Sequence, residues 1–467
     1  MRHREELQFC IPHLTSEKSA CYNTGMENTE TIMKGKTVAF LTLGCKVNQY
    51  DSDAMRSLFL RRGYTAAAGD DADVYVINTC SVTSVGDKKS RQLIRRIRRA
   101  HPEAVIAAAG CYAQLAPEEV MKTGCDVVVG NQNRAHIVDY IEEAAAKKEQ
   151  LNKVVDIMKV KEFENLTAGP EGEVKTRAFL KVQEGCDNYC TFCVIPFARG
   201  RLKSRRQEDA VKEAAELARR GYKEIVLTGI HLGNYGKDLH DGTSLSTLVD
   251  ALLAIPGLVR IRLGSIESVE LSPELVHIIK TEPRVCAHLH LPLQSGSDEV
   301  LRRMHRHYRL QAFKDLVTGL RREIPDLALT TDLIVGFPGE TEELFEETLD
   351  TLREIRFSGI HVFPYSPRAG TPAAAYPDQV PGPVKKDRVH RVEMLEKDIA
   401  RAYRAAFLGK DLRVLAEEEK DGLFEGLSDE YIRVSIRGAG IKRGALYRVR
   451  AEALTEEGLI GTAEEEI

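Results

Sequence analysis

No run in the 467-residue sequence approaches the ~20 consecutive apolar residues that would span a bilayer, so a membrane-crossing helix is not expected. A secretion signal is missing as well. Arg2, Arg4 and Lys18 near the start are mixed with Glu5, Glu6 and Glu17, and no continuous apolar stretch follows them. Charge of one sign is also lacking: the formal net charge is −4, from 66 Lys and Arg against 70 Asp and Glu. That balance excludes a surface that is basic all over, because phosphate binding needs clustered Lys and Arg, and so any nucleic-acid contact must be local. Low-complexity blocks and short-period repeats are absent, which excludes repeat architectures. What is present is ordinary globular composition, 43% hydrophobic and 29% charged, over a length that calls for two or three domains.

The pattern along the chain divides it into five parts. Residues 1–33 read as a disordered leader. From 34 to 145, apolar runs at Val38–Leu43, Val74–Ile77 and Val105–Ala109 alternate with helical stretches at Asp51–Arg62 and Gly86–Arg99. Such alternation predicts a doubly wound parallel sheet with helices on both faces. Functional residues then gather at the C-terminal strand ends. Residues 146–175, polar and bearing Gly and Pro, read as a linker. From 176 to 400, apolar runs at Phe179–Val182, Glu224–Leu227, Val259–Leu263, Ala287–Leu291, Ala328–Val335 and Ile360–Phe363 alternate with helical patterns. This predicts a full or partial βα barrel. Residues 401–467 carry short runs between Gly-rich turns, the pattern of a small all-β barrel.

Ten cysteines without a secretion signal point to a reducing compartment, where clustered thiols serve metals or catalysis more often than disulfides. Cys186, Cys190 and Cys193 stand three and two residues apart, directly after the strand-like AFLKVQEG. Structural zinc sites take four protein ligands, whereas three thiolates suit a cubane iron–sulfur cluster with one iron left open to a substrate or cofactor. Cys45, Cys80 and Cys111 each follow an apolar run within a few residues, so a parallel sheet brings all three to one edge. Cys125 and Cys286, beside strand-like runs, are expected to be packing residues; Cys10 and Cys21 belong to the leader.

The Cys186–Cys193 spacing, with Phe192 before the last cysteine, resembles that of the radical S-adenosyl-L-methionine (SAM) enzymes. That resemblance implies a 4Fe-4S cluster on Cys186, Cys190 and Cys193 that chelates SAM and cleaves it to a 5′-deoxyadenosyl radical. The segments QEGCDNYCTFCVIPFARGRLKSR, LTGIHLGNYGKD, HLPLQSGSDEVLRRM and TDLIVGFPGET narrow the likeness to the methylthiotransferases, from about residue 36 to the end. For that branch the resemblance implies a second 4Fe-4S cluster, on Cys45, Cys80 and Cys111, and a C-terminal barrel of the TRAM type. It further implies that one SAM methylates sulfur carried on the second cluster, while another is cleaved to activate the substrate carbon. LGCKVNQYDSD is similar to the group acting on N6-threonylcarbamoyladenosine at position 37 of tRNA. The implied partners are that tRNA, a low-potential electron donor and a sulfur donor, in the cytoplasm and without a membrane. Methylthiolation of isopentenyladenosine in tRNA, or of a ribosomal protein aspartate, stands as the alternative within the branch. A non-catalytic iron–sulfur protein is the alternative outside it.

Three basic groups suit RNA phosphates around a cluster opening, although each alone is equally a solvated face. They are Arg91, Arg95, Arg96, Arg98 and Arg99; Arg199, Arg201, Lys203, Arg205 and Arg206; and Arg302, Arg303, Arg306 and Arg309. The last domain adds Arg433, Arg437, Lys442, Arg443, Arg448 and Arg450, yet ends in Glu464, Glu465 and Glu466, so only one of its faces is expected to meet RNA. LTGIHLGNYG and LPLQSGS are either ligand-contacting segments or ordinary βα turns.

Overall fold

The computed structural model describes residues 35–67, 71–169 and 176–467. The expected leader, with Cys10 and Cys21, lies outside the described residues. Six parallel strands form the N-terminal sheet in the order β2-β1-β3-β4-β5-β6. They are β1 (Thr37–Thr42), β2 (Thr65–Ala66), β3 (Val74–Thr79), β4 (Val105–Gly110), β5 (Val127–Val128) and β6 (Leu151–Asn152). β3 is buried along its whole length, as a central strand covered on both faces must be. One face packs on Met55 and Phe59 of the helix Lys46–Arg62 and on Ile137 and Ile141 of the helix Ile137–Lys147. The other packs on Ile94 and Ile97 of the helix Ser84–Ala100, together with Val120. The sheet is therefore doubly wound as expected, and its order reverses between β1 and β3, the position that opens a crevice at the strand ends.

The stretch 146–175 is not a free tether where it is described. Leu151 and Asn152 pair with Val127 and Val128 as the sixth strand. Beyond them Leu166 is buried beside Tyr50 and Ala54. Its polar composition belongs to an edge strand and to side chains such as Lys153, which pairs with Glu143 at 3.0 Å.

The second domain is a partial barrel of parallel strands. β7 (Arg177–Lys181), β10 (Glu224–Thr228) and β11 (Arg260–Leu263) form one sheet, and β12 (His288–His290), β13 (Ala328–Val335) and β14 (Gly359–Pro364) form another. Bridges from Ile261 to Val285 and from Ser265 to His290 join them. A short antiparallel pair, β8 (Gln183–Glu184) with β9 (Lys203–Ser204), brackets the cysteine loop. The helix Gly382–Ala405 runs through the boundary expected at 400, and the last domain begins with β15 (Asp411–Lys420) after a short turn. Amphipathic spacing continues to Phe407, which is buried in the core of the last domain, so composition alone places that boundary too early.

β15, β16 (Leu423–Ser428), β17 (Arg433–Arg437), β18 (Leu446–Leu454) and β19 (Leu459–Glu466) close into a barrel in the order β15-β16-β17-β19-β18. The acidic end is thus part of a paired strand. This barrel docks on residues that open the strands of the partial barrel. Arg177 pairs with Glu417 at 2.6 Å. Arg260 donates to Leu427 O at 2.9 Å and Arg262 to Ser428 O at 2.8 Å. Tyr431 stacks on His288 with centroids 4.1 Å apart. The barrel therefore floors the N-terminal end of the partial barrel, opposite the cysteines.

Candidate functional site

Cys45 follows β1, Cys80 follows β3 and Cys111 follows β4, so parallel alignment carries all three to one edge. Gly44, at φ +110, lets the backbone turn between the first two: a Cβ there would lie 3.1 Å from Cys80 Sγ and 2.9 Å from Asn48 Nδ2. Asn48 fixes that turn by donating to Leu43 O at 2.7 Å and to Thr79 O at 3.0 Å. Cys45 also stands directly before the first turn of the helix Lys46–Arg62. Burial pushes the Cys80 thiol up to about 11, and the nearness of Cys111 and Cys45 adds to the rise.

The second trio sits on a loop closed by β8 and β9. Gly185, at φ +74, passes so close to the returning chain that a Cβ would meet Arg201 O at 1.9 Å. Cys186 N donates to Gly200 O at 3.1 Å, and Cys193 N to Cys190 O at 2.9 Å. Burial pushes Cys186 and Cys193 up to about 12, with the other thiols of the trio contributing. Arg199, just after this loop, reaches Cys111 Sγ of the first trio, so the two trios lie at one crevice. Among the described residues no three His, Cys, Asp or Glu side chains converge closely enough for a single metal ion; a four-iron cube is wider than an ion. The donor chemistry fits such a cube. Each trio offers three thiols, and each has a buried arginine donating to a sulfur: Arg199 Nε to Cys111 Sγ at 3.3 Å, and Arg306 Nη1 to Cys190 Sγ at 3.4 Å. Guanidinium charge and N–H donors beside sulfur stabilise thiolate and tune a cluster's potential.

The segments LTGIHLGNYG and LPLQSGS line this edge. His231 Nδ1 lies 3.5 Å from Cys186 Sγ, and His231 Nε2 lies 2.5 Å from a Glu270 carboxylate oxygen. Glu270 Oε2, Ser268 Oγ and Asn234 Oδ1 are buried without a hydrogen-bond partner among the described residues. A polar cofactor above Cys186 would satisfy them, since unpaired buried polar groups are costly. SAM, with its ribose hydroxyls and amino group, fits that need.

Behind the thiols lies a layer of buried charge that joins the first two domains. Asp51 forms an ion pair with Arg134 at 2.6 Å, accepts a hydrogen bond from Arg199 at 3.2 Å, and also pairs with Lys181. Glu184 takes Arg199 at 2.6 Å and Lys181 at 3.0 Å, while Glu164 takes Arg134 at 2.8 Å. Burial alone would raise the carboxyls of Asp51 and Glu184, but the surrounding cations outweigh it and hold both low. Nearby, Arg205 pairs with Glu213, which also accepts from Tyr50 Oη at 2.9 Å. One of the basic groups expected to meet RNA is therefore largely spent inside, and a second loses one member. Arg199, Lys203 and Arg205 are fully buried, and Arg306 is held by Glu267. Arg201, Arg206, Arg302 and Arg309 remain exposed.

These interior roles were hidden from the sequence because Asp51 comes from another domain and the nearer Glu184 and Glu213 stand in no recognisable pairing pattern with Arg199 and Arg205. The same holds for His231, Glu267 and Glu270, which carry no spacing signal. Cys125 and Cys286 are buried, as expected of packing residues. Among the described residues no helix is long and apolar enough to cross a membrane.

A parallel partial barrel with a three-cysteine loop after its first strand defines a radical SAM enzyme. The radical SAM superfamily model matches residues 180–352, and that of the uncharacterized protein family UPF0004 matches residues 37–130. A solved radical SAM methyltransferase, TsrM from Kitasatospora setae, shares the fold at TM-score 0.54 and 14% identity, over 72% of this chain and 75% of that one. The threonylcarbamoyladenosine tRNA methylthiotransferase MtaB of Bacillus subtilis is 46% identical over 421 residues, 89% of this chain and 93% of that protein. The tRNA-2-methylthio-N(6)-dimethylallyladenosine synthase of Moorella thermoacetica is 38% identical over 391 residues, 82% of this chain and 87% of that protein. The chain belongs to the MtaB family of tRNA methylthiotransferases, radical SAM enzymes that require a 4Fe-4S cluster and SAM.

Proposed function

We propose that this enzyme methylthiolates C2 of N6-threonylcarbamoyladenosine at position 37 of tRNA, giving 2-methylthio-N6-threonylcarbamoyladenosine, with two 4Fe-4S clusters. The observation that carries this reading is the pair of three-thiol sets lying at one crevice. Cys186, Cys190 and Cys193 hold the cluster that takes SAM, and Cys45, Cys80 and Cys111 hold the second. Bound there, these groups supply an electron for reductive SAM cleavage and a place for the sulfur that replaces hydrogen on the substrate carbon. The protein's own part is to hold the thiols rigidly, to give each trio an arginine donor, and to fix the two domains with the Asp51–Glu184 charge layer so that the distance between trios is set. A tRNA is the substrate, a low-potential electron donor and a sulfur donor are required, and the cytoplasm supplies all three. The higher identity to the threonylcarbamoyladenosine enzyme favours that substrate over isopentenyladenosine.

The test is mass spectrometry of tRNA nucleosides from a host that makes threonylcarbamoyladenosine but lacks methylthiotransferases, with and without this chain expressed. The methylthio derivative of threonylcarbamoyladenosine should appear; methylthio-isopentenyladenosine instead would move the enzyme to the sister substrate. Replacing Cys186, Cys190 and Cys193 with Ala should abolish both SAM cleavage and product. Replacing Cys45, Cys80 and Cys111 with Ala should spare cleavage and lose product. Product from the second triple variant would end the two-cluster reading.

A further inference from the structure

The inner face of the partial barrel carries a column of polar side chains that ends in a histidine, His361, with no hydrogen-bond or ion-pair partner among the described residues. Residues alternate across each strand, so His288 and His290 on β12, Thr330 and Asp332 on β13, and His361 and Phe363 on β14 share the inner face. The intervening Leu329, Leu333 and Ile360 pack outward against the helices. At the floor, Tyr431 closes the column by stacking on His288, and Thr330 Oγ1 lies 2.9 Å from His288 Nε2 and 3.0 Å from His290 Nδ1. His288 and Thr330 are buried, and Thr330 Oγ1 ties the two histidines together. Above them the character changes. Asp332 is directly paired with His361 in the strand register, and its carboxylate lies 3.4 Å from His290 Nε2, which steadies it. Asp332 is about a third exposed at 35%, His361 is exposed, and Phe363 is 44% exposed.

Lys46 lies near this opening, on the other domain. It is the first residue after Cys45, it is exposed, and it is close enough for its charge to act on His361 and His288. Neither Lys46 nor His361 has a hydrogen-bond or ion-pair partner among the described residues. Burial is the main cause of the lowered His361 value, with Asp332 opposing and His290 and Lys46 adding to it. At neutral pH His361 is therefore an uncharged N–H donor, and Lys46 supplies the formal charge. The opening thus presents one free cation directly after the Cys45 thiol, one neutral donor and one tethered acceptor, next to an exposed aromatic ring.

We propose that Lys46, His361 and Asp332 form the subsite for the threonylcarbamoyl group of the substrate, Lys46 and His361 taking its carboxylate and Asp332 accepting from its hydroxyl or ureido N–H. This rests on the reading of the function given above and extends it to the residues that select the substrate. A hydrocarbon substituent such as isopentenyl offers neither an anion nor a donor, and it would leave all three groups desolvated and unpaired. A site built around polar partners rejects an analogue lacking them far more strongly than an apolar pocket rejects an extra group. Phe363 offers its face to the splayed-out adenine, the usual way in which an unpaired base is held.

The test measures Kd of the full chain, with its clusters reconstituted, for three anticodon stem-loops: unmodified A37, threonylcarbamoyladenosine, and its neutral methyl ester. The native chain should prefer the acid form over the other two by about tenfold or more, the scale of one well-placed charged contact. Lys46→Ala and His361→Phe should each reduce that preference to roughly threefold or less, and Lys46→Arg should retain it. Affinity for all three RNAs falling equally in Lys46→Ala would mean a phosphate contact or a structural role, and would overturn the subsite, as would a preference left intact. If the native chain itself showed no preference for the acid form, the substrate assignment would fall instead, which separates the two failures.

Discussion

Replacing Asp51 with Asn removes one of the two carboxylates, Glu184 being the other, that pair with Arg134, Lys181 and Arg199, all fully buried. Breaking a buried pair leaves uncompensated charge and costs about 3–5 kcal/mol. Thermal and denaturant unfolding of Asp51→Asn should register a loss of that order; a loss under about 1 kcal/mol would mean that the layer does not hold the domains together. At this scale the thiols were legible in the sequence and the charges were not. Cys186, Cys190 and Cys193 announce themselves by spacing. Cys45, Cys80 and Cys111 do so by following strands. Arg199, Lys203 and Arg205, by contrast, look like one basic patch next to Arg201 and Arg206. Only the fold brings Asp51 to them from another domain and turns the nearer Glu184 and Glu213 inward to meet Arg199 and Arg205. A run of like charge therefore reads as a solvated face until its distant partners are known.

Glu224, the first residue of β10, shows what the join between the partial barrel and the closing β-barrel depends on. Burial would raise its carboxyl, but Arg260, Arg262 and Arg177 outweigh that and hold it at about 2. Its folded value is lower than the ordinary 4.5, so its stabilisation is fully present above pH 4.5 and is lost as pH falls towards 2. For one carboxylate the amount is on the order of 3 kcal/mol. Glu224→Gln should lower the urea midpoint at pH 7, and the gap to the native chain should narrow at pH 3. A gap independent of pH would assign the loss to packing rather than charge. Strands and helices were readable because burial on two faces gives continuous apolar runs and helical faces repeat. The elements that were misplaced are those whose partners are remote. Leu151–Asn152 is too short and polar to be recognised before β5 is beside it. The helix Gly382–Ala405 passes from one core to the next with no break in its spacing.

At the scale of the molecule, the crevice has to receive a polyanion although the net charge is −4. The fold decides which cations can take part. On the helix Ser84–Ala100, Lys88 and Lys89 lie in the first turns, at the sheet edge that holds Cys80, and are exposed, as is Arg201 beside the other cysteine loop. Arg95, Arg96 and Arg99, expected from the sequence to flank a cluster, lie roughly 16 Å or more from the start of the same helix, towards the opposite edge. On the closing β-barrel, Arg433, Arg437, Lys442, Arg448 and Arg450 each already face a carboxylate, at 2.8–3.0 Å. Exposed pairs of this kind are worth little, so a phosphate can replace the carboxylate, but the net attraction is small. Changing Lys88, Lys89 and Arg201 to Glu should therefore weaken tRNA binding at low salt and flatten its dependence on salt by about 0.7–0.9 in log–log slope for each phosphate no longer neutralised. The same change at Arg95, Arg96 and Arg99 should leave the slope nearly as it was. Filter binding over a roughly fourfold range of salt separates the two, because counterion release reports how many phosphates the protein neutralises rather than its total charge. If the second set flattened the slope as much as the first, the tRNA would have to lie along the whole helix rather than over the thiol crevice.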